Sequence, residues 1–328
     1  MSSSPSRGQV PPDTPPAGAP DTGGAALIAH LRRLAEEKQV AIPGFIAPRE
    51  ADVHTGRLRQ HYLDWGTAGA PAVVFLHAGR LNAHSWDLVC LALRDRYRCL
   101  SVDLAGHGDS EWAADGDYRV ATSADDLRGF ADALGLEKFL LVGLSMGGMH
   151  ALGFAARHPE RLHGLVIMDI GPEVNPEGTR RQREAMAVFE PMAEFEDFVR
   201  LALADRPTRN ADKLRFTIAQ NVRQQADGRW VWKYDVANRS RQSHAQIESD
   251  RRYLAGIAPD IACPTLVLRG EKSDILLREH AAGLAARVQH GRWAEIPRAR
   301  HFLHLDNPVA VIRELREFID STAARLGT

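Results

Sequence analysis

Five apolar runs constrain this chain more than anything else in it: AVVFLHA at 72 to 78, YRCLSVDL at 97 to 104, FLLVGLS at 139 to 145, LHGLVIMDI at 162 to 170 and TLVLRG at 265 to 270. Each is too continuous for a strand with one wet face, so they read as central parallel strands covered on both sides. Parallel neighbours need crossovers, and helical patterns stand between the runs, at about 122 to 134, 147 to 157 and 308 to 326. The expected class is α/β, with a parallel sheet between two helical layers. With 328 residues, 44% hydrophobic and 25% charged, the chain is long enough to bury a core of that kind.

Two stretches fall outside the alternation. The opening, MSSSPSRGQVPPDTPPAGAPDTGG, is rich in Pro, Gly and Ser and is expected to be a disordered tail over residues 1 to 24. It is followed by an amphipathic docking helix over 25 to 41, with Leu27, Ile28, Leu31 and Leu34 at helical spacing. From Pro172 to about Ile257, helical patterns run on without a convincing strand. A structureless loop of that length is implausible, so residues 172 to 258 are expected to form a helical cap inserted into a core of 25 to 171 and 259 to 328.

Charge and cysteine content exclude several functions. The net charge is −1, which offers nothing to nucleic acid or to an anionic membrane surface. Cys90, Cys99 and Cys263 are too few and too scattered for a disulfide framework or a metal site. The opening lacks an apolar leader and no run approaches a membrane span, so the expected setting is cytoplasmic, with no cofactor and no metal.

GLSMG, residues 143 to 147, follows one of the buried runs and leads into the helical pattern GMHALGFAARH. That context turns Ser145 into a candidate nucleophile, held on a tight strand-to-helix turn with small residues at 143 and 147. A serine hydroxyl near neutral pH needs an imidazole to take its proton. His301, in ARHFLHLDNP after the strand-like RWAEIP, is the candidate base, preferred to His304, which suits a contact at a helix start. LHAGRLNAHSWD, residues 76 to 87, ends the first buried run and can aim a backbone N–H at the same point as the residue after the nucleophile. Gly79 and Met146 are therefore the candidate oxyanion donors. His77, Asp103 and His107 are read as turn-shaping residues, because DLAGHGDS lacks the lysine and spacing of a phosphate cradle.

These motifs, LHAGRLNAHSW, VDLAGHGDS, VGLSMGG and ARHFLHLDNP, in this order, make the chain from about 57 to 326 resemble the α/β-hydrolase superfamily. The resemblance implies a mostly parallel eight-stranded sheet flanked by helices, a cap after strand 6, a triad of Ser, acid and His, and a substrate pocket between sheet and cap. In that family the acid usually follows the seventh strand at Gly-x-x-Asp spacing. Here Gly270 plus three is Ser273, and Asp274 falls one residue late. Some members with serine there take the acid from the sixth strand, where this chain has Asp169. Asp169 is the expected acid, with Ser273 as a hydrogen-bonding helper and Asp274 as the alternative. One departure is His77-Ala78 in place of the usual His-Gly pair.

The expected activity is a serine hydrolase that cleaves an ester, thioester or lactone through an acyl-enzyme, its partners being a small acyl substrate and water. Carbon–carbon, amide or haloperoxidase-like chemistry on the same residues, or a non-catalytic binding member of the fold, are the alternatives. Within the cap, Phe189, Met192, Phe195 and Phe198 read as core. Trp230, Trp232 and Tyr234 alternate along a short extended piece expected to pack cap on sheet, and Arg180, Arg181 and Arg183 read as a solvated helix face. Glu271 and Lys272 read as a solvated loop pair.

Overall fold

The computed structural model describes residues 18 to 185, 191 to 205, 210 to 236 and 244 to 325. Eight strands form one sheet in the order β1-β2-β4-β3-β5-β6-β9-β10: β1 (Arg49–His54), β2 (Arg59–Asp64), β3 (Ala72–Leu76), β4 (Arg98–Val102), β5 (Phe139–Leu144), β6 (Leu162–Met168), β9 (Thr265–Gly270) and β10 (Gly291–Ile296). β2 runs antiparallel to both neighbours, and from β4 to β10 every pairing is parallel. The apolar runs are the central strands; β5 and β9 are buried at every position, as runs covered on both faces must be.

β1 and β2 were not legible as apolar runs. The sequence of β2, RQHYLD, looks polar, yet five of its six residues are buried. Its polar groups are paired rather than solvated: His61 Nδ1 lies 2.9 Å from Asp103, and Asp64 accepts from Arg49 and Arg98 at 3.0 and 2.8 Å. Buried polar side chains are tolerated when bonded in this way, and they disguise a strand in a hydropathy pattern.

Helices α2 (Asp87–Leu93), α3 (Val120–Ala133) and α4 (Met146–Arg157) follow the early strands, and one apolar cluster fills each face of the sheet. The N-terminal helix α1 (Gly24–Lys38) inserts Leu27 and Leu31 into the cluster that holds α2, so it covers its own domain. It ends at Gln39, whose left-handed backbone (φ 56) closes the last turn.

Between β6 and β9 lie α5 (Pro176–Ala185), α6 (Phe195–Asp205), α7 (Ala211–Asn221) and α8 (His244–Ile257). The expectation that this insert lacks strands is wrong. β7 (Val222–Gln224) and β8 (Trp230–Trp232) pair antiparallel around a turn containing Gly228 at φ 83. Three residues a side are too few for periodicity to register, and only the alternating aromatics marked the place. The tryptophans pack inside the insert rather than onto the sheet: Trp230 meets Phe195 at 5.5 Å and Trp232 meets Phe198 at 4.8 Å. Tyr234 alone crosses to the core, forming a β-bridge with His107. Phe189 lies outside the described residues, as does the side chain of Arg183.

After β9 come α9 (Arg278–Arg287), β10, the short α10 (Leu303–Asp306) and α11 (Pro308–Arg325), which packs on the same face as α1.

Candidate active site

Ser145 sits between the last residue of β5 and the first of α4, with φ 53 and ψ −118. So strained a backbone persists only where the surroundings impose it. The flanking glycines show how: a Cβ on Gly143 would lie 2.4 Å from the carbonyl oxygen of Gly147, and one on Gly147 would lie 2.4 Å from that of Leu76. Only glycine fits either place. The N–H of Gly147 donates to His77 O at 3.2 Å, tying the elbow to the end of β3.

The His301 ring lies between the nucleophile candidate and a carboxylate. Nε2 is 2.9 Å from Ser145 Oγ, and Nδ1 is 2.8 Å from Asp169 Oδ2. Asp169 follows β6, is wholly buried, and has φ 52. Its Oδ1 accepts the N–H of Gly270 at 2.9 Å, and its Oδ2 accepts the hydroxyl of Ser273. Ser273 Oγ in turn accepts from the N–H of Ile275 at 3.1 Å. A carboxylate taken out of water is retained by such donors.

Asp274, the alternative acid, is turned away. Its carboxylate is exposed and pairs with Arg181 of α5 at 3.0 Å, while its backbone oxygen accepts from Asn175 Nδ2 at 2.9 Å. The one-residue offset from Gly270 is the reason: in this turn Ser273 points inward and its neighbour outward. Glu271 and Lys272 do not pair with each other; the Glu271 carboxylate accepts the N–H of Arg298 at 2.5 Å. Arg180 is bridged to Glu177 and Glu184 on its own exposed helix face.

His304 is two per cent exposed and packs against Trp86 with ring centroids 4.4 Å apart and the planes tilted by 33°; burial, followed by the proximity of His301, pushes its pKa down to about 3. His77 is buried, with Nδ1 2.8 Å from Ala78 O, and its Nε2 accepts the N–H of Leu104 at 3.0 Å, which makes it a brace between two loops. Burial lowers the pKa of His107 to about 3 and of His150 to about 4, with His77 adding to both.

Asp103 braces the second loop, accepting from the N–H groups of Ala83 and Asp109 at 2.6 and 2.9 Å. Burial works against its charge, but the hydrogen bond from His61 prevails and holds it well below the carboxylate range. Among the described residues, His61, Asp103 and Asp109 are the one group with metal-ligand spacing. Those donors already occupy Asp103, and Lys233 pairs with Asp109 at 2.7 Å, so the group serves as a structural network.

Met146 opens α4, where a first-turn N–H has no acceptor within the helix. Gly79 faces it across the elbow: a methyl in place of its hydrogen would fall 3.8 Å from Met146 Sδ. Both line a cavity of 370 Å³ with Ser145, and the extra methyl of Ala78 forms part of its wall without closing it. A second cavity of 660 Å³ lies on the His301 side and shares Gly79, Arg80, Gln182, Tyr234, Ile275 and Phe302 with the first. Most of this lining escaped the sequence reading. Helical spacing offered one signal, since Met149 stands one turn beyond Ser145 and also lines the first cavity.

Residues 71 to 308 match the family of the α/β-hydrolase fold. The chain is 32% identical over 298 residues to an esterase of Mycobacterium tuberculosis, Rv0045c, covering 88% of this chain and 95% of that one. The crystal structure of that esterase superposes with a TM-score of 0.72 at 29% identity, over 89% of this chain and 97% of its own. A 3-hydroxybutyrate-oligomer hydrolase of Cupriavidus necator is 30% identical over 258 residues, covering 75% of this chain and 88% of the relative.

Proposed function

Since this chain belongs to the α/β-hydrolase family and is a hydrolase, we propose that it cleaves carboxylic esters, thioesters or lactones through an acyl-enzyme formed on Ser145. Ser145 Oγ attacks the substrate carbonyl while His301 Nε2 takes its proton. Asp169 holds the ring through Nδ1 and stabilises the imidazolium that forms. The N–H groups of Gly79 and Met146 bind the oxygen that gains charge. The tetrahedral intermediate collapses by expelling the alcohol or thiol, which leaves with the proton from His301. Water then attacks the acyl-enzyme with His301 again as base, releasing the acid and restoring the serine.

The observation that carries this reading is the unbroken run of hydrogen bonds from Ser145 through His301 to Asp169, at 2.9 and 2.8 Å. Supporting it is the cavity at the serine, within the size range of small-molecule sites. The helical insert of 172 to 258 acts as a cap over both cavities, and the substrate is a small acyl compound with water as second reactant. Of the relatives described above, one is an esterase by name and the other a hydrolase of 3-hydroxybutyrate oligomers, which supports ester over amide or carbon–carbon chemistry.

A fluorophosphonate probe tests the proposal. Wild type is expected to gain the phosphonyl mass on the peptide carrying Ser145, and Ser145→Ala to gain none. Unlabelled wild type, with no burst of p-nitrophenol from p-nitrophenyl butyrate, would sink it.

A further inference from the structure

The two cavities are chemically unlike, and the mechanism says which half of a substrate each receives. The departing oxygen or sulfur takes its proton from His301 Nε2, so the leaving half must lie on the histidine side. That is the 660 Å³ cavity, lined by His301 and Phe302. The acyl half falls to the 370 Å³ cavity, which reaches from Ser145 past Met149 to Val120, Ile170 and Ile247.

Charged side chains line both cavities. The acyl side holds Asp235, Asp250 and Arg251, the last of which pairs with Glu248 at 2.8 Å. Asp235 accepts the hydroxyl of Tyr118 at 2.6 Å. The leaving side is bordered by Arg181, Lys272 and Arg300 against Asp274 and Asp306. Asp274 is taken by Arg181, and Asp306 accepts the backbone N–H of Arg300 at 2.8 Å. Among the described residues no carboxylate pairs with the ammonium of Lys272 or the guanidinium of Arg300. Both side chains are carried by loops that the N–H of Lys272 ties together, donating to Ala299 O at 2.8 Å. Arg80 borders both cavities.

We propose that this hydrolase selects esters or thioesters whose leaving half is anionic, with Lys272 and Arg300 receiving the negative group. The inference rests on the acyl-enzyme reading above, since only that reading assigns the halves. An anion on the leaving half gains two cations held at the rim. Being exposed, each cation contributes modestly, and the effect weakens as salt screens it.

Three aryl esters matched in leaving-group reactivity test this: meta-cresyl butyrate, meta-carboxymethylphenyl butyrate and meta-cresyl monoadipate, the last with a six-carbon acyl chain bearing its own carboxylate. The carboxymethylphenyl ester is expected to exceed both the cresyl ester and the monoadipate in kcat/KM, the former by roughly threefold to tenfold at low ionic strength. The advantage should shrink with added salt in wild type, a reading that needs no variant. In the double variant Lys272→Glu with Arg300→Glu, the ratio of carboxymethylphenyl to cresyl ester should drop below one; Lys272→Ala with Arg300→Ala should bring it close to one. A wild-type ratio of one, a ratio indifferent to salt and to charge reversal, or a preference for the monoadipate overturns the inference while leaving ester hydrolysis intact. If wild type hydrolyses none of the three, the acyl-enzyme reading fails first.

Discussion

Ser273 donates its hydroxyl to the same oxygen of Asp169 that faces Nδ1 of His301. The loop after β9, where the family's acid usually stands, thus supplies a neutral donor while β6 supplies the charge. This division separates the roles of two neighbouring residues, Ser273 and Asp274, and makes each of them testable.

Replacing Asp169 by Asn should lower kcat on the order of 10⁴-fold, because an amide cannot hold the required tautomer or stabilise the imidazolium. Asp274→Asn should stay within about threefold of wild type, since an exposed ion pair contributes little. Steady-state kinetics on p-nitrophenyl butyrate separates the two; equal losses in both variants would falsify the assignment.

Ser273→Ala should remove a buried donor and leave an Asp169 oxygen and the Ile275 N–H short of a partner. A cost of about 1–3 kcal/mol in folding stability is expected. The fall in kcat should be smaller than for Asp169→Asn, because the carboxylate remains. Urea denaturation and turnover measured on one preparation check both halves; unchanged stability with unchanged turnover would mean that the hydroxyl is dispensable.

Gly178 lies within α5, where alanine ordinarily stabilises a helix by about 0.5–1 kcal/mol. Here a Cβ would fall 1.9 Å from the backbone oxygen of Asp274. Gly178→Ala is therefore expected to destabilise, by about 1–3 kcal/mol as overpacking does, and to lower the melting temperature. A raised melting temperature would show that α5 does not press on this loop.

His107, His150 and His304 bear on acid stability. Burial lowers their folded pKa values to about 3, 4 and 3, against 6.5 for the ordinary group. Below pH 6.5 the unfolded chain takes up protons that the folded chain refuses, so stability is full above that pH and declines as pH falls toward 4. His304→Phe, which keeps an aromatic ring against Trp86, should lessen the decline between pH 6.5 and 4 by about 1 kcal/mol or more. Urea midpoints at pH 5 and 7.5 read it out; an identical decline in both proteins would remove His304 from the account.

Where the sequence could be read, local chemistry was unmixed. The central strands are predominantly apolar, and Gly143 and Gly147 bracket Ser145 for a steric reason visible in the motif. Counting from Gly270 separated Ser273 from Asp274, and the structure brings Asp169, not Asp274, to His301. Legibility failed where tertiary pairing decides: β2 hides its burial behind His61 and Asp64, each bonded to a residue about forty or fifteen to thirty-five positions away. The hairpin of β7 and β8 was too short to show a period. The cavity walls come from distant segments, Arg80, Gln182, Tyr234 and Phe302 among them, and no local pattern announces such convergence.

Ser145 and Asp169 stand at the ends of adjacent strands, and both precede the insert in the chain. The loop after β9, relieved of supplying charge, instead anchors the insert through Asn175, Gly178 and Arg181. The proposed nucleophile and acid thus both precede the insert, which makes the insert an exchangeable module. Splicing a relative's helical segment between residues 172 and 258, with the partner surface of the Asp274 loop carried along, should redirect substrate choice while the reacting groups keep their spacing.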